Sequence, residues 1–154
     1  MLNNKELREL LTDKIIYPYR LEEHEKWIES FSGNSDGVFE FAIELKQEKL
    51  YIGSCGIQEI DQKNRIGEIG ISIKKEYWGK GYGTEAFNLL VNFCFEEVNL
   101  NKIKLNVFDF NKRGISSYKK LGFKQEGCLR EEIYRFGRYN DVIVMGLLKS
   151  EWKK

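Results

Sequence analysis

The chain predicts an α+β fold: a mixed, mostly antiparallel twisted sheet flanked by helices. Three observations carry that expectation. Short runs of alternating apolar and polar residues recur between Val38 and Ile73, separated by polar turns, which is the period of half-buried strands. Beyond residue 84 the period changes, and Phe87, Leu90, Val91, Cys94 and Val98 recur at the three- and four-residue spacing of one helix face. The last third returns to strand-like runs, interrupted by one short helical segment.

In order along the chain, Lys5 to Leu11 and Leu21 to Phe31 read as helices around the Tyr17-Pro18-Tyr19 break, and Gly33 to Gly37 as a loop. Val38 to Leu45, Tyr51 to Ile60 and Ile66 to Ile73 follow across short polar turns and form an antiparallel meander. A helix from Thr84 to Val98 leads to a strand from Lys102 to Phe108, and those flanking strands can lie parallel. A helix from about Lys112 to Leu121 ends at Gly122, a left-handed cap. Leu129 to Tyr134 and Val142 to Leu148 close as a hairpin around Gly137.

The 154 residues fit one domain, 1–154, and contain one Pro and no linker-like or low-complexity tract. A net charge of +1 leaves no basic footprint for nucleic acid. No apolar run reaches the length of a membrane span, and Met1-Leu2-Asn3-Asn4-Lys5 lacks a signal-peptide core, so a cytoplasmic location is expected. Cys55, Cys94 and Cys128 are widely spaced and His24 stands alone, so no metal site is expected. His24 reads as an exposed or interfacial residue of an amphipathic helix, which leaves no histidine for a nucleophile triad.

The most informative stretch is Glu68-Ile69-Gly70-Ile71-Ser72-Ile73 followed by Trp78-Gly79-Lys80-Gly81-Tyr82-Gly83-Thr84. A strand, three alternating glycines and a helix start together build a backbone anion site. Glycine allows positive φ and close approach, and the first helical N–H groups point outward unpaired. Those donors and the helix dipole favour a phosphate by roughly 0.3–1 kcal/mol, up to about 2 when partly buried. A phosphate-binding P-loop needs Ser or Thr directly after its Lys, whereas Gly81 follows Lys80. The dinucleotide fingerprint needs a third glycine where Thr84 stands. A pyrophosphate-bearing cofactor of another kind is the expectation; the plain alternative is a glycine-rich turn that merely joins two elements.

A second motif, Asn106-Val107-Phe108-Asp109-Phe110-Asn111-Lys112-Arg113-Gly114-Ile115-Ser116-Ser117-Tyr118-Lys119-Lys120-Leu121-Gly122-Phe123, follows the next strand. In that order and spacing the two motifs resemble the GNAT superfamily of acetyl-CoA-dependent N-acetyltransferases, from about Phe39 onward. The tail from Glu126-Gly127 to Trp152 is similar to the branch holding ribosomal-protein N-terminal and spermidine acetyltransferases.

The resemblance implies acetyl-CoA as cosubstrate and assigns roles by position. Ile71, Ser72 and Ile73 match the strand end whose backbone pairs with the pantetheine arm. Trp78, Gly79, Lys80, Gly81, Tyr82, Gly83 and Thr84 match the pyrophosphate loop, with Trp78 where Gln or Arg is usual. Asn111 matches the residue that hydrogen-bonds the cofactor arm, and Asn106 and Lys120 belong to the same cofactor-side motif, Lys120 as a cation within reach of phosphate. Tyr118 matches the tyrosine beside the cofactor sulfur, a general acid for the leaving thiolate; it also shares a face with Ile115 and Leu121 and could simply pack. Glu68 is the candidate base, pointing either to solvent or to the cleft. Relatives open with a strand, yet this chain begins almost directly with Lys5-Glu6-Leu7, so that strand is expected to be missing or reduced to Met1-Leu2.

The implied activity is acetyl transfer to a primary amine, a small molecule or a protein N-terminus, by direct attack in a ternary complex. Glu22, Glu23, Glu25 and Glu29 suit a polycation or an exposed helix face equally. The family analogy and the apolar last hairpin are compatible with a homodimer, which composition does not establish. The other reading is a non-catalytic acyl-CoA sensor or interaction module of the same fold.

Overall fold

A computed structural model describes residues 9–10 and 38–153. Glu9 and Leu10 are helical, inside the expected Lys5–Leu11 segment. The rest of the two N-terminal helices, His24, the acids from Glu22 to Glu29 and the first strand lie outside the described residues.

Strands β1 (Phe39–Leu45), β2 (Leu50–Asp61) and β3 (Ile66–Ile73) form the expected antiparallel meander. The β2–β3 turn is shaped by Asp61, whose Oδ1 accepts the Asn64 backbone N–H at 2.9 Å. Helix α1 (Tyr82–Glu96) then carries the chain to β4 (Lys102–Phe108), which lies parallel to β3. Helix α2 (Lys112–Lys120) follows, and β5 (Lys124–Arg135) and β6 (Arg138–Leu148) finish as a hairpin. The sheet order is β1-β2-β3-β4-β6-β5, with one parallel pair among antiparallel ones.

Burial on one sheet face holds the layers together. Phe87, Leu90, Val91, Cys94 and Phe95 of α1 pack on Ile57, Ile69, Ile103, Leu105, Met145 and Leu147. Phe87 and Phe95 are 1% and 0% exposed. Ile115, Tyr118 and Leu121 of α2 join the same cluster from its margin.

Several boundaries differ from the sequence expectation. α1 starts two residues earlier, at Tyr82, because Gly81 supplies a left-handed turn at φ 88° just ahead of it. It also ends two residues earlier: Glu97 and Val98 both donate back to the Phe93 carbonyl, and Asn99 turns left-handed at φ 58°. Val98 thus reaches the core from the capping turn rather than from the helix. The final hairpin is longer than its periodic part, since register shifts between Gln125 and Gly127 and between Leu129 and Ile133 break the alternation.

The short pairing of β3 with β4 opens the sheet at its centre. β3 and β4 pair only at Ile66↔Lys102, Gly67↔Ile103 and Glu68↔Lys104, then separate. Among the described residues, beyond that vertex Ile69–Ile73 pairs with no strand but β2 and Leu105–Phe108 with no strand but β6, while the Ile73 and Phe108 carbonyls accept from Trp78 Nε1–H and the Asn111 N–H. Each strand therefore turns an unpaired backbone edge into the gap, and backbone groups withdrawn from water require partners.

Candidate active site

Strand parity sorts the residues around this gap into two sides. Ile69, Ile71 and Ile73 face α1 with the core, so Glu68, Gly70 and Ser72 face the other way. On β4, Ile103, Leu105 and Val107 are buried beneath the helices, while Lys104, Asn106 and Phe108 share the opposite face. A cleft of about 1090 Å³ runs through the gap and is lined from both sides.

On the helix side stands the glycine loop. Gly79 and Gly81 have φ of 74° and 88°, and a side chain at either would meet nothing within 4 Å. The requirement at these two positions is conformational, then, not spatial. No side chain caps α1, whose first helical bond runs from Glu85 N–H to the Gly81 carbonyl at 3.0 Å. The amides of Tyr82, Gly83 and Thr84 consequently lack intrahelical partners at the positive end of the helix dipole.

Trp78 closes this loop against its neighbours. Its Nε1–H donates to the Ile73 carbonyl at 2.7 Å, and the Arg113 guanidinium lies 3.5 Å from its ring centroid. The stack ties the loop to the first turn of α2. Asn111 caps that helix, its Oδ1 accepting the Gly114 N–H at 3.0 Å.

Tyr118 sits further along α2, half-buried, with its ring 5.1 Å from Phe87 and 6.1 Å from Phe123. Burial pushes its hydroxyl up to about 12, and the Arg113 charge pulls weakly the other way. Tyr118 is therefore a phenol, a donor, across the neutral range. It packs and lines the cleft at once, so the two readings of this residue coexist.

Glu68 marks the vertex. Its Oε2 lies 3.1 Å from Lys104 Nζ, and its Oε1 accepts from Asn106 Nδ2 at 3.3 Å. The carboxylate is thus held toward the cleft on the side away from α1. Ser72 lines the same side, and its buried Oγ has no hydrogen-bond partner among the described residues.

Of the residues expected at the site, all but Lys80 and Tyr82 line the cleft. Lys80 Nζ instead lies 5.2 Å from the Tyr77 ring centroid, and Tyr82 stacks obliquely on the same ring at 6.4 Å. Lys120 lines the cleft as an exposed cation. Sequence reading missed Arg113 as a partner of Trp78, though it stands inside the second motif. It also missed that Phe108, Leu129, Glu132, Ile133 and Val142 line the cleft, because they come from three strands that only the folded sheet brings together. Among the described residues no group of three His, Cys, Asp or Glu side chains could hold a metal ion, and no helix is long and apolar enough to cross a membrane.

Known proteins share this arrangement. Residues 1–124 match the model of the acetyltransferase (GNAT) domain. An uncharacterized N-acetyltransferase of Bacillus licheniformis is 38% identical over 112 residues, 73% of this chain and 63% of that protein. A spermidine N(1)-acetyltransferase of Vibrio cholerae is 37% identical over 112 residues, 73% of this chain and 64% of that protein. The chain thus spans a little under two thirds of the length of these relatives. The crystal structure of spermidine N-acetyltransferase from Vibrio cholerae in complex with CoA and spermine superposes with a TM-score of 0.88 at 30% identity, covering 97% of this chain and 86% of the other. The spermidine acetyltransferases expected from the tail are thus among the relatives, and the chain belongs to the GNAT acetyltransferase domain family.

Proposed function

We propose that the protein is an acetyl-CoA-dependent N-acetyltransferase, acting as one domain over residues 1–154. One observation carries this reading: the uncapped, glycine-led start of α1 opens onto the gap between β3 and β4, with a neutral phenol at its side. The diphosphate of the cofactor binds the amides of residues 79–84. The pantetheine arm adds to the unpaired edge at Ile71–Ile73, held also by Asn111, and delivers the thioester into the gap. That a solved relative was crystallised with CoA and spermine supports the same choice of cofactor and an amine as acceptor.

The chemistry follows from the two-sided cleft. A neutral amine enters from the Glu68 side, and its nitrogen attacks the thioester carbonyl carbon. The resulting oxyanion collapses, the C–S bond breaks, and sulfur leaves as thiolate. A phenol at about 12 holds its proton more tightly than a thiol at about 8.5, so Tyr118 assists as a hydrogen-bond donor to the departing sulfur. The acetylated nitrogen loses its proton to Glu68, directly or through water, and the released thiolate takes a proton from solvent to become the thiol of CoA.

Acceptors in this reading are primary amines, either small polyamines or a protein N-terminus. Exposure of Tyr134, Phe136 and Tyr139 on the final hairpin, at 60%, 59% and 63%, supports a homodimer through that face. Three free thiols fit a reducing, cytoplasmic compartment. CoA release measured across a panel of amines, beside calorimetry with CoA, tests the proposal. Amine-stimulated release supports it. CoA binding without release under any amine makes the chain a non-catalytic acyl-CoA sensor instead.

A further inference from the structure

Glu68 and Ser72 bracket a stretch of β3 that carries no side chain on their face. Gly70 stands between them, and its partner across β2 is Gly56, so the sheet is bare backbone where it borders the gap. β2 covers that place from a single position. Ile57 pairs with Ile69 and Glu59 with Glu68, which leaves Gln58 as the extra residue of a β-bulge. Bulges of this kind re-aim a side chain and are frequent beside active sites. Ile57 is buried in the core beneath α1, so the exposed Gln58 next to it turns to the Glu68 face.

Gly70 shows where that side chain goes. A Cβ at Gly70 would stand 2.7 Å from Gln58 Nε2, 3.4 Å from its Cδ and 4.0 Å from its Oε1. The carboxamide therefore lies on Gly70, with its nitrogen toward the sheet and its oxygen toward the cleft that Gln58, Glu68 and Ser72 all line. Gly70 is not among the residues of positive φ, so its missing side chain serves this close approach rather than a turn. Glu68 lies two residues away, about 6.6 Å along a strand, and two N–H···O bonds from one nitrogen span up to about 6 Å. Ser72 gives an independent sign that a polar ligand belongs on this face. Its buried Oγ lacks a partner among the described residues, and buried polar groups are seldom left so.

We propose that Gln58 is an acceptor-specificity residue: its carboxamide oxygen accepts one hydrogen of the attacking nitrogen while Glu68 takes the other, so the site selects a primary amine over its N-alkyl counterpart. The inference rests on the transferase reading above. The hydrogen held by Gln58 stays on nitrogen throughout and becomes the N–H of the acetamide, and the hydrogen facing Glu68 leaves as the proton. A secondary amine has only the second of these, and Gln58 Oε1 then loses its partner.

The test uses butylamine and N-methylbutylamine, which differ by one N–H, as acceptors for the full chain under saturating acetyl-CoA. Wild type should favour butylamine in kcat/KM. Gln58→Ala should lower kcat/KM for butylamine about three- to tenfold, as one lost hydrogen bond allows, and shrink the preference by the same factor. Gly70→Ala keeps the carboxamide but pushes it off its seat, so it should reproduce that loss. The double variant should then match Gln58→Ala, because both changes remove one and the same interaction. Calorimetry should give Gln58→Ala the wild-type Kd for CoA, which a general disturbance of the gap would not. Additive losses in the double variant, a weakened CoA Kd in Gln58→Ala, or a Gln58→Ala enzyme that keeps the wild-type preference overturn the inference. So does a wild type that acetylates other amines but does not distinguish these two; the transferase reading then stands. A wild type that acetylates no amine at all overturns both.

Discussion

At the scale of single residues, the proposed chemistry rests on Tyr118, whose proton is held by burial. The folded protein keeps this phenol neutral up to about pH 12, above its ordinary value, so the donor form is present at every pH where the enzyme would be assayed. Ionisation is favoured in the unfolded chain, and stability linked to Tyr118 is therefore complete below about pH 10 and declines between about 10 and 12. Activity should rise with pH as the free amine fraction grows, with no falling limb from Tyr118 below about pH 11. Tyr118→Phe should lower kcat by about 10²–10³-fold, the loss expected for one preorganised hydrogen-bond donor, while CoA affinity stays unchanged, read by steady-state kinetics and calorimetry. Full activity in that variant would remove Tyr118 from the mechanism. The residue was legible in sequence because Asn111 to Gly122 fix its place in a motif. The stack of Arg113 on Trp78 was not, since it joins side chains 35 positions apart, and only the meeting of loop and helix in space creates it.

At the scale of elements, the start of α1 has two separable requirements, a left-handed entry and a firm seat. Gly81→Ala meets no steric obstacle, so its cost is that of the backbone alone, about 1–2 kcal/mol in urea unfolding. It should also weaken CoA binding, because the amides behind it are re-aimed. The seat is Phe87, fully buried and packed on the Tyr118 ring. Phe87→Ala should cost about 3–5 kcal/mol in the same measurement and lower kcat as well, by loosening Tyr118. A variant that loses stability but retains kcat would show that the Phe87 contact does not orient the phenol. Helix and strand identities were readable from their periods. The bulged β5 was only half readable, because three residues opposite one at Asp141 erase the alternation on which strand reading depends.

At the scale of the whole molecule, the cleft is a consequence of topology. Helix α1 crosses between parallel neighbours, their pairing stops after three residue pairs, and the gap joins the glycine loop on one face to Glu68 on the other. The sequence indicated that these strands run parallel. How far their pairing extends depends on strand twist and on what packs beneath, which no local pattern encodes. The central claim is that the gap and the amides at its mouth receive a coenzyme thioester. Backbone hydrogen exchange with and without CoA examines this most directly. Slowed exchange at residues 79–84 and along the open edge at 69–73, with the β2–β3 turn at the far end of the sheet unaffected, is the predicted result. No change there on CoA addition, or slowing confined to the distant turn, would contradict it.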